Sequence, residues 1–221
     1  MGSLRPASAI TRTPLAIPDP LPAPESASAD DAIERHRQRM MGGLAGAIRE
    51  KGLAQTQVTD IVRHAGASRR TFYRCFPDKD SCFIALAETL FRVARSEVEA
   101  AVDPTAPWEV QIDQAVDVFL AILAADPVLV SAFKTELPML GAQGLRIQQE
   151  SLDRYVDMLV RVTREPVMVE AGVGPVSREM AMMLMGGFDA LVGQAVARGE
   201  DVVPLGPAIK NLFRRALLPS A

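Results

Sequence analysis

The chain has 221 residues, of which 48% are hydrophobic and 23% charged, with a net charge of −3. That is enough for a sizeable core, in one large domain or two small ones, and is the composition of a soluble globular protein. No apolar run approaches the ~20 residues that cross a bilayer and no secretory signal opens the chain, so the expectation is a cytoplasmic protein without a membrane partner. Two cysteines, Cys75 and Cys82, supply neither a disulfide framework nor a zinc ligand set, and read as buried structural thiols in a reducing compartment.

Charge is unevenly placed. Between Ile33 and Asp80 there are ten Lys/Arg against five Asp/Glu, while the segments on either side are net acidic. A localised basic region on an acidic remainder is the electrostatic footprint of phosphate binding, which the net charge hides.

Residues 1–30 carry Pro6, Pro14, Pro18, Pro20, Pro22 and Pro24 among Ala and Ser. Such a stretch supports neither helix nor sheet and reads as a flexible, partly polyproline-like arm. Arg5 and Arg12 offer a minor-groove role, although a plain extension is the simpler reading. From Asp31, the apolar residues Ile33, Met40, Leu44 and Ile48 recur at helical spacing, and Gly52 ends that helix. Arg35, Arg37 and Arg39 read equally well as part of the basic surface or as a solvated helix face.

Val58, Ile61, Val62 and Ala65 predict a short helix that stops at Ala65-Gly66-Ala67. Ser68 then caps a second short helix, with its hydroxyl accepting from the amide of Arg70 or Thr71. On that helix Phe72, Cys75 and Phe76 share one side, and Arg69, Arg70, Tyr73 and Arg74 the other. Three arginines and a tyrosine on two turns are poor for burial and well suited to a DNA major groove, where arginine donates twice to guanine. This is a helix-turn-helix. Asp78 caps a longer helix through Phe83, Leu86, Leu90, Phe91 and Val98 to about Ala101, and Lys79 stands in its first turn. Further helices are predicted near 108–125, 127–137, 145–164, 177–199 and 205–218, with breaks at Asp126-Pro127, Pro138–Gly144 and Glu165–Pro175. The fold class is all-α: an arm (1–30), a three-helix helix-turn-helix domain (31–80) and a helical body (81–221), whose expected role as an effector-binding and dimerisation domain rests on the resemblance and the apolar faces described next.

The segment from Arg35 to Phe83 resembles the TetR/AcrR family of bacterial one-component regulators, through Gly52, Thr56, Ile61, Ala65-Gly66, Ser68, Thr71-Phe72-Tyr73, Phe76 and Lys79. Gln57, Val62, Ala67 and Cys75 depart from the family pattern. Cys75 replaces a common histidine, so no phosphate contact is carried over to it. The resemblance implies that Thr56, Tyr73 and Lys79 hold phosphates, that Arg69, Arg70 and Thr71 approach base edges, and that Arg74 does either. Gln57 and Thr59, at the start of the first motif helix, are weaker phosphate candidates, and Tyr73 can also be read as a packing ring.

One recognition helix reads few base pairs, so a two-fold dimer on a palindrome is expected. Met180, Leu184, Gly187, Leu191 and Gln194 form one stripe, with Gly186, Gly187 and Gly193 allowing close approach. Ile209, Leu212, Phe213, Ala216 and Leu217 form a second. Together they suggest a four-helix seam as in the family; the methionines 180, 182, 183 and 185 can instead line a soft pocket. A ligand chamber is expected between the linking helix and the helices near 108–125 and 145–164, with Phe91, Phe119, Leu123, Phe133, Tyr155, Met158 and Val162 as candidates, each also readable as plain core. Few charges on those faces favour an apolar or aromatic effector.

The only histidines, His36 and His64, lack a nearby nucleophile or metal set, and there is no Gly-rich phosphate loop. The expectation is therefore a non-enzyme without metal or cofactor: a repressor that binds a double-stranded operator as a homodimer and is released by a small apolar effector. The alternative is an activator, or an effector-free architectural DNA-binding protein.

Overall fold

The computed structural model describes residues 29–218. The segment read as an arm, with Arg5 and Arg12, lies outside the described residues apart from its last two positions. All regular structure among the described residues is helical.

The head begins with α1 (Ala29–Lys51), followed by α2 (Val58–His64) and α3 (Arg69–Cys75). Gly52 and Gly66 adopt φ of +78° and +57° where α1 and α2 end, a left-handed conformation that glycine takes without strain. Ser68 caps α3, its hydroxyl accepting from the Thr71 amide at 3.1 Å. Met40, Leu44, Ile48, Ile61 and Phe72 are wholly buried between these three helices.

The linking helix α4 (Lys79–Ala101) is capped by Asp78, which accepts from the Ser81 amide at 2.7 Å. The body contains α5 (Trp108–Ala125), α6 (Pro127–Thr135), α7 (Ala142–Val162), α8 (Pro166–Glu170), α9 (Arg178–Ala197) and α10 (Gly206–Leu217). Single 3-10 turns at Pro138–Leu140 and Val203–Leu205 precede α7 and α10. The chain turns by 92° between α5 and the segment that follows Pro127. Residues 166–170, expected to be part of a break, are helical. Pro166 opens α8 at a position where its missing N–H costs nothing, so proline here starts a helix instead of interrupting one.

Three cores hold these elements together. The head core does not stop at the head: Leu129, Ala132, Phe133 and Leu137 of the α6 segment and Ile147 of α7 belong to it. A second core joins α5, α9 and α10 through Val116, Leu120, Leu184, Phe188, Val192, Ile209 and Phe213. The third surrounds Trp108 with Val156, Met168, Val176 and Leu217. By length and composition alone α9 is apolar enough to cross a membrane, contrary to the expectation from sequence. Its inner face, Ala181, Leu184, Phe188, Val192 and Ala195, is buried in the body, and alanine, glycine and methionine carry the apolar character around to its outer face.

Candidate DNA interface and effector cavity

On α3, Phe72, Cys75 and Phe76 are buried while Arg69, Arg70 and Arg74 are exposed, as the helical phase predicts. None of the three arginines has a hydrogen-bond or ion-pair partner among the described residues. Tyr73 is half exposed and meets the Phe72 ring edge-on at 5.4 Å, so ring packing and an outward hydroxyl coexist. Thr71 is half-buried, its hydroxyl 2.9 Å from that of Ser68. The side chains of Gln57 and Thr59 are exposed at the start of α2.

Two expected phosphate ligands point elsewhere. Thr56 is 2% exposed and its hydroxyl donates to the Gly52 carbonyl at 2.7 Å, so it braces the α1–α2 loop and does not face outward. Lys79 is half-buried and donates to the Leu53 carbonyl at 2.9 Å, so a phosphate must compete for it with that loop.

Two arginines that sequence left undecided act as clamps. Arg39 donates to the carbonyls of Ala65 and Gly66 at 2.7 and 2.9 Å, fixing the turn before α3. Arg37 donates to the Cys75 carbonyl at 2.7 Å and stacks over the Phe76 ring at 4.3 Å, fixing the end of α3. The recognition helix is thus held at both ends from α1, leaving its own arginines free. Both cysteines are unpaired and buried, and burial pushes their thiols up from the ordinary range.

Behind the head lies a cavity of about 680 Å³ bounded by α4, α5, α6, α7 and α9. Of the expected ligand contacts, Phe91, Phe119, Leu123, Phe133 and Tyr155 line it. Met158 and Val162 do not: the cavity follows the first part of α7, and Val162, farther along that helix, packs into the Trp108 core. Phe119 meets Tyr155 and Phe188 edge-on at 5.4 and 5.2 Å. Phe133 stacks on Phe83 of the head core and meets Phe91 edge-on, both at 5.4 Å, so one ring belongs to the cavity wall and the head core together.

The cavity is also more charged than expected. Asp126, Lys134, Arg146 and Asp189 line it, brought in by helix ends and by α6 and α9, which sequence did not place at the chamber. Lys134 pairs with Asp189. Asp126, 7% exposed, caps α6 by accepting from the Leu129 amide at 3.2 Å. It also accepts from Arg49 of α1, through Nε at 2.7 Å and Nη2 at 2.6 Å. The next two residues of α1 hold α2: Glu50 pairs with Arg63 at 2.6 Å and His64 at 2.7 Å, and Lys51 with Asp60 at 2.7 Å. One turn of α1 thereby connects the cavity wall to the helix-turn-helix.

Residues 45–86 match the family model described as bacterial regulatory proteins, tetR family. The chain has a tetR-family head. Its fold extends the likeness. The transcriptional regulator FadR from Bacillus subtilis, in complex with stearoyl-CoA, is similar over 79% of this chain and 96% of its own, with 21% identity and a TM-score of 0.66. The fatty acid degradation regulator FadR from Bacillus halodurans is similar over 80% and 94%, with 20% identity and a TM-score of 0.68. Thermus thermophilus FadR, a TetR-family transcriptional repressor in complex with lauroyl-CoA, is similar over 84% and 96%, with 19% identity and a TM-score of 0.63. A search of curated protein sequences gives no match. The family match is confined to the head and the start of α4, and the likeness of the body to these regulators is one of fold.

The body also exposes an apolar face. Met180, Gly187, Leu191 and Gln194 of α9 and Leu212 of α10 are exposed, joined by Met183 at 63% exposure. Leu184, Ile209 and Phe213, expected on the dimer seam, instead belong to the body's own core. A helix apolar nearly all round gives no phase from which to choose its outer face. At Gly186, Gly187 and Gly193 an added Cβ would meet nothing within 4 Å, so the outer surface there is open to a second helix.

Proposed function

We propose that this chain is a one-component transcriptional repressor that binds a palindromic operator as a homodimer in the cytoplasm and leaves it when an amphipathic, acyl-chain effector fills the body. The observation that carries the reading is a mostly apolar cavity whose wall residue Asp126 is ion-paired to Arg49 of the head. Arg69, Arg70 and Thr71 read bases, and Arg74, Tyr73, Gln57 and Thr59 meet backbone or base. Lys79 contributes charge near the phosphates while holding its loop. The exposed faces of α9 and α10 form the dimer seam, centred on Met183, Gly187, Leu191 and Leu212.

The acyl-CoA complexes of structurally similar FadR proteins supply the effector class, and the aromatic walls of the cavity suit an acyl chain. An effector-free architectural role leaves such a chamber without a use. The test is selection of bound duplexes from a random pool, followed by titration of the recovered duplex with palmitoyl-CoA. Recovery of a palindrome and its release by the ligand are expected. No sequence preference, or a ligand that binds without changing operator affinity, overturns the proposal.

A further inference from the structure

We infer that Lys134 is the anion-recognition point of the cavity, so that the effector is an apolar chain ending in an anionic group; this rests on reading the cavity as an effector site. Lys134 stands on α6 and Asp189 on α9, and their ion pair spans two walls of the same chamber. The two partners are unequally held. The Asp189 side chain is 58% exposed and the Lys134 side chain 24%. Asp189 can turn out to water at little cost, because exposed pairs are weak and a hydrated carboxylate needs no protein partner. Lys134 is three-quarters covered and, without Asp189, needs a replacement anion.

The other charges on the wall point the same way. Asp126 already accepts from Arg49 and from the Leu129 amide, so it is no vacancy for a cationic ligand. Arg146 adds a second positive group, paired among the described residues with the half-exposed Glu150 of its own helix. A cationic amphiphile would have to displace Lys134 from Asp189 and then face Arg146. A neutral lipid would leave the ion pair intact and gain nothing from it. An anion replaces the Asp189 carboxylate and keeps Lys134 satisfied, while the chain lies against Phe119, Phe188 and Tyr155. The shared chemistry is an anionic head, which the carboxylate of a free fatty acid and the phosphates of an acyl-CoA both supply.

The experiment uses the full chain and three probes of equal chain length: palmitate, palmitoyl-CoA and hexadecanol. Affinities are measured for the wild type, Lys134→Met, which keeps the stem without the charge, and Lys134→Arg, which keeps the charge. For at least one anionic probe, Lys134→Met should weaken binding by about tenfold or more, with hexadecanol within about twofold and recovery in Lys134→Arg. Whether palmitate or palmitoyl-CoA shows the loss identifies the head. The inference is overturned if the wild type binds hexadecanol as tightly as both anions, or if Lys134→Met spares the anions or weakens hexadecanol equally. Binding of none of the three defeats the effector reading itself, a separate result from a neutral probe binding as well as an anionic one.

Discussion

Replacing Arg49 with methionine tests whether the α1–α6 ion pair carries the effect of the ligand. Asp126 is 7% exposed and would be left with only the Leu129 amide as a partner. Breaking a fully buried pair from one side costs about 3–5 kcal/mol. The Arg49 side chain is 41% exposed, so water already reaches the pair and the figure falls to roughly 1–3 kcal/mol. For a chain of this size that lowers the melting temperature by about 2–10 °C. Arg49→Met combined with Asp126→Asn should recover most of the loss, because the amide keeps an oxygen for the Leu129 N–H and leaves no buried charge.

The functional consequence is separate from the stability cost. Arg49 neither lines the cavity nor stands on the outer face of α3, so Arg49→Met should leave ligand affinity, and operator affinity without ligand, within about twofold of the wild type. If the ligand weakens operator binding tenfold in the wild type, the coupling is about 1.4 kcal/mol, and the variant should retain about a twofold effect or less. The assay is operator titration by fluorescence anisotropy with and without saturating palmitoyl-CoA. A folded Arg49→Met protein that is still released tenfold would refute transmission through this pair.

Arg70→Ala should cost about 1–3 kcal/mol on the selected operator and relax preference at one base pair per half-site; equal losses on operator and random DNA would remove Arg70 from base reading. Leu191→Arg, at a position 41% exposed, should leave the fold intact and give monomers by sedimentation at micromolar concentration. Gly43→Ala should destabilise the head by about 1–3 kcal/mol, read as a lowered melting temperature, because its Cβ would sit 2.4 Å from the Ile61 carbonyl oxygen. Acid should weaken the head. The Lys51 ammonium holds Asp60 below its ordinary value of 3.8, the Ser81 amide does the same for Asp78, and Arg63 then His64 hold Glu50 below 4.5. Depressed carboxylates contribute stability that is present above their unfolded values and lost as pH falls through the folded ones. The melting temperature should therefore hold down to about pH 5 and drop below about pH 4, with a smaller drop in Asp60→Asn.

The head was legible because its signals are local. Ser68 and Asp78 announce caps that the structure places at the amides of Thr71 and Ser81, and helical spacing separates Phe72 from Arg69 and Arg70 correctly. Side-chain direction in the loops was not legible. Thr56 and Lys79 match the family pattern as residue types, yet both bond to the α1–α2 loop, because the carbonyls of Gly52 and Leu53 lie within reach. In the body, Leu184, Ile209 and Phe213 were indistinguishable from Met183 and Leu191 by composition, and only packing assigns the former group to the core. Arg49 and Asp126 are 77 positions apart, a separation over which no periodicity carries information.

That long-range pair changes how release should be pictured. A shift of α4 as a rod, altering the ~34 Å spacing of two recognition helices, is one route from ligand to DNA. It has support: Leu90 and Phe91 line the cavity, while Cys82 and Phe83, two turns earlier on the same helix, are wholly buried in the head core. But α6 contributes to the same core. Leu129 and Phe133 belong to both cavity wall and head core, and Asp126 at the start of α6 grips Arg49. A ligand that pushes Phe133 outward therefore presses on Phe83, and moving Asp126 pulls on the turn of α1 that holds α2. Because packed cores shift between discrete arrangements and do not stretch, α4 and α6 should move with the head as one unit relative to α9 and α10. On the proposed mechanism the spacing change would arise at the boundary between that unit and the proposed dimer seam, where Lys134 of α6 meets Asp189 of α9. An anion that replaces Asp189 at Lys134 would loosen that boundary, which joins recognition of the head group to release from DNA.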